Sequence, residues 1–264
     1  MNLFIFEIKN STKYTLLWSL MLSLVTWGFL GMYPSFSGDI ESTKAVLEKL
    51  PESVRLALNV DLNLFFSLAG FYGYDFNFLM LAGSIMSLNL SLKLFSQESS
   101  QKTADFLLTK PISRKNIFIA KLCAGIFQLL IFNLIFSLIT LIAVNRIDKN
   151  NGGLNTFVLI NLSLFIVQLI FFALGSFLGT ILSKVKNPIS IAMPTVFAFF
   201  IISALDSAIK SIKLSELTPF SFFNRNYILL NNNYETKYLI ISFVVIFLFF
   251  FFALNAFARK EIKN

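Results

Sequence analysis

The residues best placed to do work in this 264-residue chain lie in one polar segment, QESSQKTADFLLTKPISRKNIFIAK (Gln97 to Lys121), wedged between two long apolar runs. Glu98 and Asp105 supply negative charge there, and Arg114 and Lys121 supply positive charge. The stretch from Thr103 to Leu108 places Phe106, Leu107 and Leu108 where one turn of helix would show them to another protein. This is the chemistry of docking: charge for steering and apolar side chains for grip. Pro111 cannot continue a helix and restricts the residue before it, so the Thr103 to Leu108 turn must end there. Ser113 is a good N-cap for the third long apolar run, with Ile112 and Ile117 as the two halves of a hydrophobic staple. The plainer alternative is a solvated loop whose leucines dip into lipid headgroups. The residues alone do not choose between that loop and a short helix lying across the membrane plane.

Bond-making chemistry has few places to live. The chain has no histidine and one cysteine, Cys123. That removes HExxH zinc sites, histidine-assisted nucleophiles, a haem axial histidine and any intrachain disulfide. Its eleven glycines include no GxxxxGK[ST], so it has no phosphate-cradling loop of its own. The expectation is a protein that is not an enzyme and holds no metal or cofactor itself.

The elements that must position the polar segment are membrane spans. With 56% hydrophobic residues, 14% charged residues and a mean hydropathy of +0.74, the chain carries more apolar surface than a soluble core of this size could hide. Uncharged runs long enough to cross ~30 Å of hydrocarbon occur at Thr15 to Met32, Phe76 to Leu92, Leu122 to Asn145, Leu154 to Leu182, Ile189 to Leu205 and Tyr238 to Ala258. The fold class expected is an all-α integral membrane protein with six spans, forming a single transmembrane domain over residues 1–264. The stretch Leu62 to Tyr74, bounded by Asp61 and Asp75, is too short to span and is expected in the interface. The first run, although preceded by Lys9 and Lys13, is expected to stay as an uncleaved anchor.

As drawn, the spans hold no ionisable side chain, which argues against a proton-driven transporter or an intramembrane hydrolase. Their polar content includes Ser84, Ser87 and Ser91, which share one face of the second span at i, i+3 and i+7. Such serines are either hydrogen-bonding glue between helices or, as a shared stripe, the wall of a pathway. Thr195 and Phe199, at i and i+4 of the fifth span, offer a matching small-polar and aromatic surface. Gly175 and Gly179 form a GxxxG in the fourth span that lets helices approach closely, more often within a chain than between chains. Pro188 and Pro194 frame and kink the fifth span.

Charge sets the orientation. Six spans put the N-terminus, the Lys93 to Lys121 connection, Lys184 with Lys186, and the C-terminal tail on one side, with 13 basic residues against four acidic ones. Basic residues resist translocation, so that side, and with it both termini, is expected in the cytoplasm. The net charge of +8 is then a topology signal plus attraction to anionic lipid, and needs no nucleic acid. The first fourteen residues mix Leu3, Phe4, Ile8 and Tyr14 with Glu7, Lys9 and Lys13, consistent with an interfacial helix. On the other side, residues 34–61 contain two helix-like stretches, Ser42 to Leu50 and one starting at Pro51, and residues 206–237 mix apolar residues with turn formers. The 33 phenylalanines are mostly lipid-facing bulk.

Glu98, then Thr103 to Leu108, then Pro111-Ile112-Ser113-Arg114, then Lys121 resemble the cytoplasmic signature of ATP-binding-cassette type-2 permeases. In that signature an acidic residue, T-x-x-x-L-L, P-[IV]-S-R and a following lysine mark the loop between spans two and three. The basic N-terminus, the six spans and Leu217-Thr218-Pro219-Phe220 also look like that family, and the likeness runs along the whole chain. One departure is Lys102, where the family usually has glycine. The resemblance implies a transport subunit of the bacterial cytoplasmic membrane, working with two separate ATPase subunits that hold the ATP and magnesium, and with a second permease chain, most simply a copy of itself. It implies that residues 97–116 form the coupling loop, with Glu98, Thr103, Asp105, Phe106, Leu107, Leu108, Pro111 and Arg114 facing the ATPase. It also implies a connecting helix at 1–14, re-entrant helices within 206–237, and a cavity lined by spans two and five. Relatives of this layout export amphipathic peptides, including phenol-soluble-modulin-type toxins. The competing class is a scaffold or assembly factor whose loop merely docks a partner.

Overall fold

The computed structural model of the chain describes residues 3–38, 40–51, 54–55, 62–101, 113–148, 154–182, 185–208 and 215–259. Every regular element among them is helical. In hydrocarbon each backbone N–H and C=O needs a partner within its own segment, and a helix provides it. Six helices are long and apolar enough to span: Leu3–Gly31, Leu68–Gln101, Arg114–Ile147, Leu154–Ile181, Ile189–Ala208 and Thr236–Arg259, here the first to sixth helices. They alternate in direction, so Leu3, Gln101, Arg114 and Arg259 lie at one end of the bundle, here termed the termini end. The other is here termed the far end.

Two expected boundaries move. No break separates an interfacial helix over residues 1–14 from the first span: Leu3–Gly31 is one helix of 29 residues. The reason is a stripe of small polar residues, Ser11, Thr15, Ser19, Ser23 and Thr26, that continues the face begun by Glu7 and is buried along its length. Small side chains let the helix lie close against the third helix, its principal neighbour. The second helix begins at Leu68, well before Phe76, and takes in most of the stretch expected to stay in the interface. The Ser67 hydroxyl accepts from the Gly70 N–H at 3.0 Å, an N-cap that starts the helix there. Asp75 is therefore inside the second helix and only 5% exposed, so the span does hold a buried acid.

The second and fourth helices are the most enclosed, and the fifth and sixth the least. The second and fourth run parallel in the most extensive packing of the bundle, the sixth lies on the fourth, and the fifth on the second. At the far end, helices Tyr33–Gly38 and Ile40–Glu48 follow the first span, and Leu62–Phe65 precedes the second. Phe29 stacks on Phe71 with centroids 4.3 Å apart, and Tyr33, Phe36 and Phe65 close around the same ring. Residues 215–231 form three short helical turns, Ser215–Leu217, Pro219–Phe222 and Arg225–Asn231, the last two capped by Thr218 and Asn224. Asn232 ends them with φ at 48°, a left-handed conformation that asparagine tolerates. They are anchored by Tyr234, whose hydroxyl donates to the Leu159 carbonyl, and by Arg225, which donates to the Gly73 carbonyl.

Candidate coupling region and the seams behind it

The helices on either side of residues 102–112 are held to each other. The third helix starts where Ser113 accepts from the Asn116 N–H at 3.3 Å, the cap expected of it. Arg114 is its first residue. Thr103, Asp105, Phe106, Leu107, Leu108 and Pro111, with the staple residue Ile112, lie outside the described residues. Glu98 is on the last turns of the second helix, with its side chain also outside them.

Below the segment, three helices are tied together by groups far apart in sequence. Lys121 of the third helix is 1% exposed, and its Nζ donates to the Leu94 carbonyl of the second helix at 2.5 Å. The same Nζ lies 3.6 Å from a carboxylate oxygen of Glu7 on the first helix, itself 3% exposed. One turn or two deeper, Gln128 Nε2 donates to the Ile8 carbonyl at 2.8 Å and to the Thr12 hydroxyl at 3.2 Å. Tyr14 extends the link to the second helix, donating to the Met86 carbonyl and accepting from Asn89 Nδ2 at 2.8 Å. Rings complete the packing: Phe95 meets Phe118 at 5.0 Å, and Phe118 meets Phe257 of the sixth helix at 5.7 Å. Gly125 is required here, because a Cβ on it would stand 2.0 Å from the Phe172 ring.

The serine stripe of the second helix faces the fourth helix, not a cavity. Ser84, Ser87 and Ser91 are each 0% exposed. Ser87 donates to the Gln168 carbonyl and Ser91 to the Phe172 carbonyl, both at 2.6 Å. Gly175 and Gly179 are the other half of the same seam: a Cβ on Gly175 would lie 2.8 Å from the Ser91 Cβ, and one on Gly179 3.1 Å from the Phe95 Cβ. The GxxxG thus packs within the chain. Farther along, Gln168 accepts from Asn133 Nδ2 at 2.6 Å and donates to the Gly83 carbonyl at 3.2 Å, joining the second, third and fourth helices.

The fifth helix is different. Thr195 is half-buried and its hydroxyl returns to the Ile191 carbonyl at 2.7 Å. Phe199, also half-buried, packs edge-on against Phe171, and its carbonyl accepts from the Thr218 hydroxyl at 2.9 Å. The structure does not bring these two residues together with the three serines. At the far end of this helix a cleft of 130 Å³ is lined by Asn77, Ser203, Asp206, Arg225, Glu235 and Tyr238 among others.

Sequence reasoning misses the Glu7–Lys121 pair, the Gln168 junction and Asp75. Lys121 is marked by its place in the loop signature and Glu7 by its place among basic residues, but nothing local says that they meet. What the arrangement supplies is mechanical: the second and third helices, on either side of residues 102–112, meet at Leu94 and Lys121, and Lys121 also reaches Glu7 of the first helix.

No curated protein matches the chain. A family model described as ABC-2 family transporter protein matches residues 1–262. With essentially the whole chain matched and six membrane-length helices, the chain belongs to the ABC-2 transporter family and is a multi-pass permease subunit of an ATP-binding-cassette transporter.

Proposed function

We propose that this permease is the membrane half of an exporter that moves amphipathic or hydrophobic cargo, most simply peptides, out across a bacterial cytoplasmic membrane by alternating access. Two copies pair, each served by one ATPase subunit, with both termini in the cytoplasm. Glu98, Thr103, Asp105, Phe106, Leu107, Leu108, Pro111 and Arg114 are the ATPase-facing residues. The observation that supports the reading is the tie at the loop stems, where Lys121 on one side donates to the Leu94 carbonyl on the other and also pairs with Glu7 of the first helix. A push on the loop would be delivered to whole helices instead of being absorbed locally.

The fifth and sixth helices expose long apolar rows, with Met193, Phe197 and Ile201 on one and Phe243, Phe247 and Phe251 on the other. Lipid and a second permease chain share these faces. A pathway between two copies would then draw on Thr195 and Phe199 of the fifth helix. The three serines are assigned to packing. The cargo class rests on the largely apolar bundle, whose buried charged residues among the described ones are Glu7, Asp75, Lys121 and Arg225.

The test is co-expression with a cognate ATPase, reconstitution into liposomes and a screen of amphipathic peptides for stimulated ATP hydrolysis and vectorial movement. Stimulation by amphipathic helical peptides and not by small ions supports the reading. A complex that hydrolyses ATP but moves no peptide contradicts the cargo class.

A further inference from the structure

The buried charges at the termini end do more than hold helices together. Glu7 and Lys121 are 3% and 1% exposed. Removing two charges from water is costly, and an apolar pair of similar volume commonly holds a core at least as well. An ammonium nonetheless has a property that an apolar side chain lacks: three donors on a long flexible stem. At 3.6 Å the Glu7 contact is charge attraction without a hydrogen bond, while the Leu94 carbonyl takes the bond at 2.5 Å. Lys121 can therefore shift its hydrogen bond from one to the other while keeping a partner.

Position gives this shift a use. Leu94 and Lys121 lie on the helices before and after residues 102–112, so a displacement that separates those two helices would change their distance. Glu7 is where the change would pass into the first helix, which runs unbroken to Gly31 and ends in the far-end ring cluster around Phe29.

Building on the permease reading, we propose that Lys121 and Glu7 are positioning residues that make the first and third helices move as one body against the second, carrying displacement of the loop to the far end.

The test uses the complex with its ATPase in nanodiscs. A fluorophore on Leu230, which is 71% exposed at the far end, reports the response to ATP in a Cys123→Ala background. The double variant Glu7→Met/Lys121→Met is expected to assemble and hydrolyse ATP while losing at least about tenfold of that response; Lys121→Arg keeps it. A double variant that responds like the parent shows the pair to be packing alone and overturns the proposal. A second arm leaves the pair intact. Spin labels at Ile5 and Ile119, 48% and 51% exposed, should keep the same separation with and without trapped ATP. A change beyond the spread of the labels also overturns it, even if the double variant fails to accumulate. A parent chain that binds no ATPase contradicts the permease reading instead.

Discussion

Gly175 lies so close to Ser91 that a Cβ added to it would stand 2.8 Å from the Ser91 Cβ, with the Leu88 carbonyl at 3.0 Å. Neither atom can swing aside, since one is fixed to its backbone and the other is backbone. Gly175→Ala should therefore cost ~1–3 kcal/mol by overpacking, read as a lower unfolding midpoint in detergent. Gly28→Ala is the matched control, because a Cβ there meets nothing within 4 Å. It should leave stability unchanged or raised.

Cysteines replacing Ser84, Ser87 and Ser91 in a Cys123→Ala background should be inert to a water-soluble thiol reagent, as each serine is 0% exposed. Cysteine at Thr195, half-buried on the open fifth helix, should react. Ser87→Trp should then fail by loss of folded protein instead of by a blocked pathway. Rapid labelling at position 87 in a folded complex would contradict the seam.

The limits of legibility lie in that same seam. Spacing put the three serines on one face of a helix but could not say which neighbour the face meets. That is settled by the fourth helix, whose matching positions lie 81 residues away. Uncharged runs located the six spans because their length and composition are local properties, and Ser113 was legible as a cap for the same reason. Asp75 and Lys13 misled boundary placement because a charge in sequence looks like an edge, yet both lie inside helices. Asp75 and Glu7 are buried within their helices, and Glu7 faces a partner 114 residues away.

Gln168 and Asn133 form a buried pair at 2.6 Å between the fourth and third helices. Gln168→Leu alone removes that acceptor, leaving Asn133 Nδ2 its bond to the Leu129 carbonyl at 2.8 Å, and also removes the donor to the Gly83 carbonyl; it should cost ~1–3 kcal/mol. The double variant with Asn133→Leu should recover part of it. The cycle should give a coupling of about 0.5–1.5 kcal/mol, since such bonds in membranes are modest. Strict additivity would show that the bond adds nothing.

Tyr234 outside the spans donates to the Leu159 carbonyl, and burial pushes its phenol well above the usual tyrosine range. The neutral form is the one that the fold favours, so its contribution is complete below pH ~10 and is lost only as pH rises through the raised folded value. Stability at the far end should be flat from neutral to mildly alkaline pH. Tyr234→Phe should cost ~1 kcal/mol throughout that range, and a parent-specific loss of stability near neutrality would contradict the assignment.

Docking of an ATPase on the 97–116 loop is tested most directly by purification through a tag on the permease, co-expressed with its cognate ATPase, with and without Leu107→Asp/Leu108→Asp. The parent should bring down the ATPase in an active complex. The double variant, whose added charge lies outside the hydrocarbon, should insert normally and lose it. An ATPase absent from the parent preparation, or retained in full with the double variant, would contradict this mode of coupling.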